Sequence, residues 1–338
     1  MRVGWVTVWG GDAAQFQRQV RLADSAGISA VGVGDSPAGW NELYVSLTIA
    51  AYESTSMTIA PMVAVPFLRH PVIHARAMSS LAELTGGRVV LGLGAGASGA
   101  TGTGNRPASQ DEMREYMRVV RALLNGEEAV WQGKPLAALK DSRPVPLYYS
   151  AWGPKSLQVA GEVADGVIIK IGSSLDAVVA KVEAVRSAAE RAGRNPGAVD
   201  VWAYGYISFA DTRRAALLGI SSLLASSGAY DYLAPHAKAG VPGETLSKLR
   251  ELQRRYDVTQ HVVPGGPNGK AAEELGLLEF LAQRTAIAGT RADVADYLEQ
   301  LGAAGVSTYF ALAPTNASPE EALRDLAASA AGRGITNS

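Results

Sequence analysis

Short apolar, β-branched runs alternate with longer helical patterns along almost the whole chain. That rhythm constrains the fold more than any other feature, because it implies βαβ units and a parallel sheet. The apolar runs fall at 3–8, 30–33, 57–65, 89–93, 146–149, 167–171, 199–209 and 306–312. Helical patterns at 12–26, 43–53, 71–86, 111–124, 154–163, 175–192, 212–224, 291–304 and 319–331 fill the intervals. Gly27 is the expected C-cap of the first helix, and Pro71 the expected first residue of the third. Eight strand–helix units favour a (β/α)₈ TIM barrel over an open doubly wound sheet, which usually has five or six strands. Residues 226–284 break the rhythm with helical pieces and a Pro264-Gly265-Gly266-Pro267-Asn268-Gly269 loop. They read as an insertion between the seventh and eighth strands of a single domain spanning 1–338, packed on the barrel's top.

The 338 residues suffice for a barrel, which typically needs roughly 250 plus insertions. A net charge of −1 argues against the clustered basic face that nucleic acid requires. With no cysteine, disulfides, thiolate catalysis and cysteine metal sites are excluded. The N-terminal Met1-Arg2-Val3-Gly4-Trp5-Val6 runs straight into a strand pattern without a signal peptide's apolar core. No uncharged apolar stretch of about 18 residues is present. A cytoplasmic location is therefore expected, with neither membrane nor nucleic acid as partner.

Barrel active sites are assembled from the loops after the strands. The candidates are Trp9-Gly10, Gly34-Asp35-Ser36, residues 66–71, Gly94-Ala95-Gly96, Ser150-Ala151-Trp152-Gly153, Lys170 with Gly172, the group Tyr204, Tyr206 and Ser208, and Pro314. Gly92-Leu93-Gly94-Ala95-Gly96 is similar to a dinucleotide fingerprint, but that motif should open a helix at once, and here a loop to Pro107 intervenes. Its glycines let a strand end pass close either to a cofactor or to a tightly packed neighbour.

In Trp152-Gly153-Pro154-Lys155-Ser156, proline takes the first helical position. Lys155 and Ser156 then lie in the first turn, where unpaired N–H groups and the dipole favour an anion. The bland alternative is an ordinary proline-started helix with an exposed lysine. Asp35 stands at a strand's C-terminal end near Trp40, either as a functional acid or as a loop-stabilising one. His70 and His74 are spaced i,i+4, but His70 precedes Pro71 and no carboxylate companion is evident, so no metal site is expected. His236 and His261 read as surface residues of the insertion.

Two stretches resemble the signature of luciferase-like monooxygenases. One is Val63-Ala64-Val65-Pro66-Phe67-Leu68-Arg69-His70-Pro71, continuing through Leu81-Ala82-Glu83-Leu84-Thr85-Gly86-Gly87-Arg88-Val89-Val90-Leu91-Gly92-Leu93-Gly94-Ala95-Gly96. The other is Gly153-Pro154-Lys155-Ser156 followed by Ala160-Gly161-Glu162-Val163-Ala164-Asp165-Gly166-Val167-Ile168. Ala288-Gly289-Thr290 matches as well, and the likeness spans roughly residues 1–325. Within that superfamily, Gly34-Asp35-Ser36-Pro37 and Trp40 resemble the branch of methylenetetrahydromethanopterin reductase, whose members use the deazaflavin coenzyme F-420.

The resemblance implies a non-proline cis peptide at Met62-Val63 behind the cofactor ring, with Ala64 and Val65 lining it. It implies that Ala151, Trp152, Gly153 and Pro154 border the cofactor's chain and phosphate, and that Asp35 lies near the ring edge. Gly94, Gly96, Lys155 and Ser156 complete the expected cofactor set. The related glucose-6-phosphate dehydrogenases carry a histidine where this chain has Ser36, and a glutamate near Ala97, so their sugar-phosphate reaction is not expected. The expected activity is hydride transfer between coenzyme F-420 and a small organic substrate. Asp35 would polarise ring or substrate with Trp40 packed beside it; Lys170, Tyr204 and Tyr206 are further donors. The alternatives are an FMN-dependent monooxygenase using O₂ and reduced FMN, the latter supplied by a separate reductase, and a non-catalytic flavin-binding barrel. Relatives are typically homodimers.

Overall fold

The strands in the first part of the chain pair in the order in which they are made. The computed structural model describes residues 1–9, 11–96, 98–230, 241–260, 263–312 and 318–331; Gly10, Ala97, His236, His261 and Pro314 lie outside them. The chain divides into two compact units, one of residues 2–169 and 181–202, the other of residues 1, 170–180 and 203–338.

In the first unit, β1 (Arg2–Thr7), β2 (Ala30–Val33) and β3 (Thr58–Pro61) are consecutive parallel neighbours. Single parallel bridges, Ile59 to Val89 and Ala64 to Leu93, carry the line from β3 to β4 (Leu91–Leu93). From β4 it passes in parallel to β7 (Leu147–Ser150) and β8 (Gly166–Lys170). β2, β4 and β8 are buried along their whole length, the mark of a parallel sheet covered on both faces.

The crossovers are α1 (Ala13–Ser25), α2 (Leu43–Glu53), α3 (Pro71–Leu84), the short α4 (Ser98–Thr101), α5 (Gln110–Leu124) and α6 (Pro154–Val163). Each longer one starts where its sequence says it should. Asp12 caps α1 through the Ala14 N–H. Ser109 and Glu112 form a reciprocal capping box on α5. α5 buries Met113, Tyr116, Met117, Val120 and Leu124 at helical spacing. At Gly27 the chain leaves α1 with φ +88°, a conformation glycine adopts without strain.

α7 (Leu175–Arg191) and β9 (Asp200–Phe209) follow. The second unit then holds α8 (Arg213–Gly219), α9 (Ser221–Tyr230), α10 (Gly243–Arg255), α11 (Pro267–Glu274), α12 (Leu278–Thr285), β10 (Ala286–Gly289), α13 (Arg291–Ala303), β11 (Thr308–Leu312) and α14 (Pro319–Ala330). Leu217, Leu224, Leu249, Leu252 and Leu281 share one core under α8–α12. β9 is hydrogen-bonded to both β10 and β11.

The chain folds as the expected (β/α)₈ barrel, with four local differences from the sequence reading. β10 adds a strand, because its small apolar run follows α12 without a break residue. β3 ends at Pro61 rather than Val65, since the chain leaves the ladder at Met62. An antiparallel hairpin, β5 (Ala129–Trp131) and β6 (Lys134–Leu136), occupies what read as a plain connection. Its turn places Gln132 and Gly133 both at positive φ, as a two-residue hairpin loop requires. The helix expected over 212–224 breaks at Ile220, and the described part of the insertion is helical. Among the described residues no helix is long and apolar enough to cross a membrane.

Candidate active site

Past Pro61 the chain forms a shelf at the C-terminal ends of β2, β3 and β4. The Met62 N–H donates to the Val33 carbonyl at 2.7 Å, and the Met62-Val63 peptide is cis, as the resemblance implied. The Ala64 N–H donates to the Gly92 carbonyl (2.8 Å) and the Ala64 carbonyl accepts from the Gly94 N–H (3.0 Å). The Val65 N–H has a side-chain acceptor, Asp35 Oδ2, at 3.0 Å. Ala64 and Val65 are buried; Met62 and Val63 are partly exposed.

The glycines of the β4 loop serve this shelf. A Cβ on Gly92 would stand 2.5 Å from the Pro61 carbonyl oxygen, and one on Gly94 2.4 Å from a Val63 methyl. One on Gly96, at φ +86°, would stand 2.8 Å from a Val65 methyl, and one on Gly99 2.4 Å from the Asp35 carbonyl oxygen. At each of these glycines the chain passes close to itself. Gly94 and Gly96 support the shelf from behind.

Asp35 is sealed rather than presented. Arg69 grips it with two bonds, Nη1 to Oδ2 at 2.8 Å and Nη2 to Oδ1 at 3.1 Å. The same guanidinium reaches Glu42 Oε1 from Nε (3.1 Å) and Nη2 (2.6 Å). Glu42 Oε2 meanwhile accepts the Val45 N–H at the start of α2 (2.9 Å). Burial acts to lower the Arg69 pKa, but its bonds to Asp35 and then Glu42 raise it above the ordinary arginine value. The guanidinium lies 5.4 Å from the Tyr44 ring centroid, and the Tyr116 hydroxyl donates to the Arg69 carbonyl at 3.0 Å.

Tyr44 is hydrogen-bonded to His74 Nδ1. Burial, with the Arg69 charge adding to it, pushes His74 down to about 3, and burial raises both tyrosines. His70 caps α3 through the Val72 N–H (3.3 Å), so the i,i+4 histidine pair has two separate structural duties. Trp40 is 43% exposed, on a turn where the Gly39 and Trp40 N–H groups share the Ser36 carbonyl at 2.8 and 2.9 Å.

Both Asp35 oxygens are hydrogen-bonded, and through Oδ2 the carboxylate holds the Val65 N–H of the shelf. Arg69, Glu42, Tyr44 and Tyr116 were not singled out by the sequence reading, and His74 was weighed only as half of a histidine pair. Arg69 did lie within the quoted signature, immediately before His70-Pro71; nothing in one sequence ties it to an aspartate so far upstream.

The second feature is the entrance to α6. The Ala151 N–H still belongs to the ladder, donating to the Ile168 carbonyl (2.9 Å). The Trp152 and Gly153 N–H groups then donate to Ser156 Oγ at 3.0 and 3.1 Å, and that hydroxyl donates back to the Gly153 carbonyl at 2.9 Å. Ser156 is thus the internal brace of the turn, and the Lys155 and Ser156 N–H groups are those of the first helical turn. A Cβ on Gly153 would meet nothing within 4 Å. Lys155 and Pro154 are exposed, and Trp152 is 39% exposed.

In the second unit Lys170 is only 8% exposed. It donates to Ser227 Oγ at 3.3 Å and lies 5.9 Å from the Tyr206 ring centroid.

Comparison with known proteins gives a consistent picture. The family model described as luciferase-like monooxygenase matches residues 1–308. The chain is similar to 5,10-methylenetetrahydromethanopterin reductase from Methanolobus tindarius, 32% identical over 219 residues, which are 61% of this chain and 66% of that protein. It is 28% identical over 313 residues to the enzyme of the same name from Archaeoglobus fulgidus, covering 89% of this chain and 90% of that one. Among solved structures, the coenzyme F-420-dependent tetrahydromethanopterin reductase from Methanopyrus kandleri superposes with a TM-score of 0.77 at 22% identity. That match covers 96% of this chain and 97% of the other, and it bears on the fold.

Proposed function

Given that this chain belongs to the luciferase-like monooxygenase family, we propose that it is an oxidoreductase transferring hydride between coenzyme F-420 and a small organic substrate. The observation that carries the reading is the pairing of an apolar shelf, Met62 to Val65, with a helix start suited to an anion, both at the C-terminal ends of strands in the first unit. The donor set fits such a coenzyme. The open surface at Gly153 admits a chain, the first-turn N–H groups and Lys155 suit its phosphate, and the partly exposed Met62 and Val63, backed by the buried Ala64 and Val65, offer an apolar wall for a tricyclic ring.

When bound, the deazaflavin supplies the carbon that gives or takes hydride. The chain's residues do the rest. Ala151, Trp152, Gly153 and Pro154 border the phosphate-bearing tail. The shelf excludes water from one ring face. Trp40, exposed on its turn, offers an indole face to substrate. The names of two further relatives, F420-dependent dehydrogenases 29% and 32% identical to this chain over 210 and 200 residues, support F-420 as the coenzyme.

A second reading, an FMN-dependent monooxygenase fed by a separate reductase, is supported by the family's own description and by the same anion site. Fluorescence titration with F-420 and FMN side by side separates the two. The expected result is F-420 binding at about micromolar Kd or tighter, with FMN weaker. Tight FMN binding with O₂ consumption, and no response to F-420, would replace the first reading by the second. We also propose a cytoplasmic homodimer. α2 is apolar nearly all round and leaves Val45 and Tyr52 exposed; light scattering at micromolar protein should return twice the chain mass.

A further inference from the structure

We propose that Arg69 is the positioning residue of the cofactor shelf, acting through Asp35 on the Val65 peptide; the inference rests on the coenzyme-binding reading above. Beyond Pro61, the N–H groups of three residues pin the shelf to its surroundings, that of Met62 through the Val33 carbonyl. Ala64 is held by backbone, through Gly92 and Gly94, whereas the acceptor of the Val65 N–H is the Asp35 carboxylate. Where that carboxylate points therefore sets the direction of the Val65 N–H.

The Asp35 side chain is 1% exposed, and Arg69 is the ion-pair partner that engages both of its oxygens. Arg69 is itself fixed on the other sides. Its N–H bonds the Pro66 carbonyl (3.4 Å), its carbonyl accepts from Tyr116, and its guanidinium lies beside the Tyr44 ring. Through Glu42 it also fixes the start of α2, just past the turn that carries Trp40. The Asp35 backbone in turn abuts Gly99. One guanidinium thus ties together the loops after β2 and β3, with the β4 loop packed against them. The planar fork is required: it engages both Asp35 oxygens at once, which a lysine's single ammonium cannot do with the same geometry.

The test uses Arg69→Ala, Arg69→Lys and Glu42→Gln in the full-length protein, with F-420 and FMN as probes. Arg69→Ala should weaken coenzyme binding at least tenfold. Guanidinium chloride at millimolar concentration should restore a good part of that loss, while ammonium chloride at equal ionic strength should not. Arg69→Lys should fall between alanine and wild type. Glu42→Gln, which leaves the Asp35 grip intact, should stay within twofold.

In the ligand-free protein, amide exchange across residues 62–68 should rise in Arg69→Ala and stay unchanged in Glu42→Gln. A folded Arg69→Ala variant with wild-type affinity and wild-type exchange would overturn the proposal. So would full affinity in Arg69→Lys, because charge alone would then suffice. Should the alanine variant not fold, the lysine variant decides by the same criterion. If the wild type binds neither coenzyme, the functional reading fails, and the exchange comparison still decides the role of Arg69.

Discussion

Asp35 and Arg69 form the least exposed of the described ion pairs, with side chains 1% and 13% exposed. Breaking a buried pair from one side leaves the other charge unsatisfied, typically at a cost of about 3–5 kcal/mol. Asp35→Ala should therefore lower unfolding stability by about 3 kcal/mol in urea. Glu42→Gln, on a side chain 46% exposed, should change it by under about 1 kcal/mol.

His74 makes stability depend on pH. Its pKa is about 3 in the folded protein against an ordinary 6.5. Between those values the unfolded chain binds a proton that the folded protein refuses, so stability is full above pH 6.5 and falls as pH drops toward 3. The slope contributed reaches about 1.4 kcal/mol per pH unit. Urea unfolding at pH 7, 6, 5 and 4 should show this decline, and His74→Gln should reduce it. Asp24, held to about 2 by hydrogen bonds from Ser56, Thr55 and Ser54 that outweigh its burial, adds a loss that begins only below its ordinary 3.8.

Among the elements, α6 gives the sharpest separation of brace from ligand. Ser156→Ala removes the acceptor of the Trp152 and Gly153 N–H groups and should cost about 1 kcal/mol of stability, as losing a helix cap does. Lys155→Ala should leave melting unchanged yet weaken coenzyme binding severalfold and flatten its dependence on salt, as expected for an exposed charge meeting an anion. Calorimetry and titration at two ionic strengths check both.

The same scale shows what a sequence makes legible. Proline and glycine at 153–154 announced the start of α6, and continuous apolar runs announced β2, β4 and β8, because local chemistry dictates each. β10 and the β5–β6 hairpin stayed hidden. The first is a four-residue run butted against a helix, and the second turns at Gln132-Gly133 rather than at a stronger turn pair. The Arg69 network was illegible for a different reason. Its bonds join residues far apart in sequence, and side-chain partners across loops leave no periodicity. The cis Met62-Val63 peptide was placed by resemblance, not by any local rule.

For the molecule as a whole, every residue proposed to hold coenzyme falls in the unit of residues 2–169 and 181–202. Protection from amide exchange on adding F-420 should accordingly concentrate at 35, 62–65 and 151–156. Saturating ligand at about one hundred times Kd should stabilise the protein by about 2.7 kcal/mol, visible as a melting temperature raised by a few degrees. Exchange spread evenly through α10–α12, with those loops unaffected, would speak against the placement. The insertion's helices carry their own core around Leu249, Leu252 and Leu281, so Leu252→Ala, at 0% exposure, should cost about 2–5 kcal/mol.

Gly92, Gly94 and Gly99 are shut by atoms closer than any real Cβ tolerates, and Gly96 is shut by its φ as well, whereas Gly153 stands open. In a saturation library read out by folding yield, the first four positions should come back almost entirely as glycine. Codon 153 should instead accept a broad alphabet. Randomising it is thus a way to retune which coenzyme tail the barrel prefers without touching the scaffold beneath.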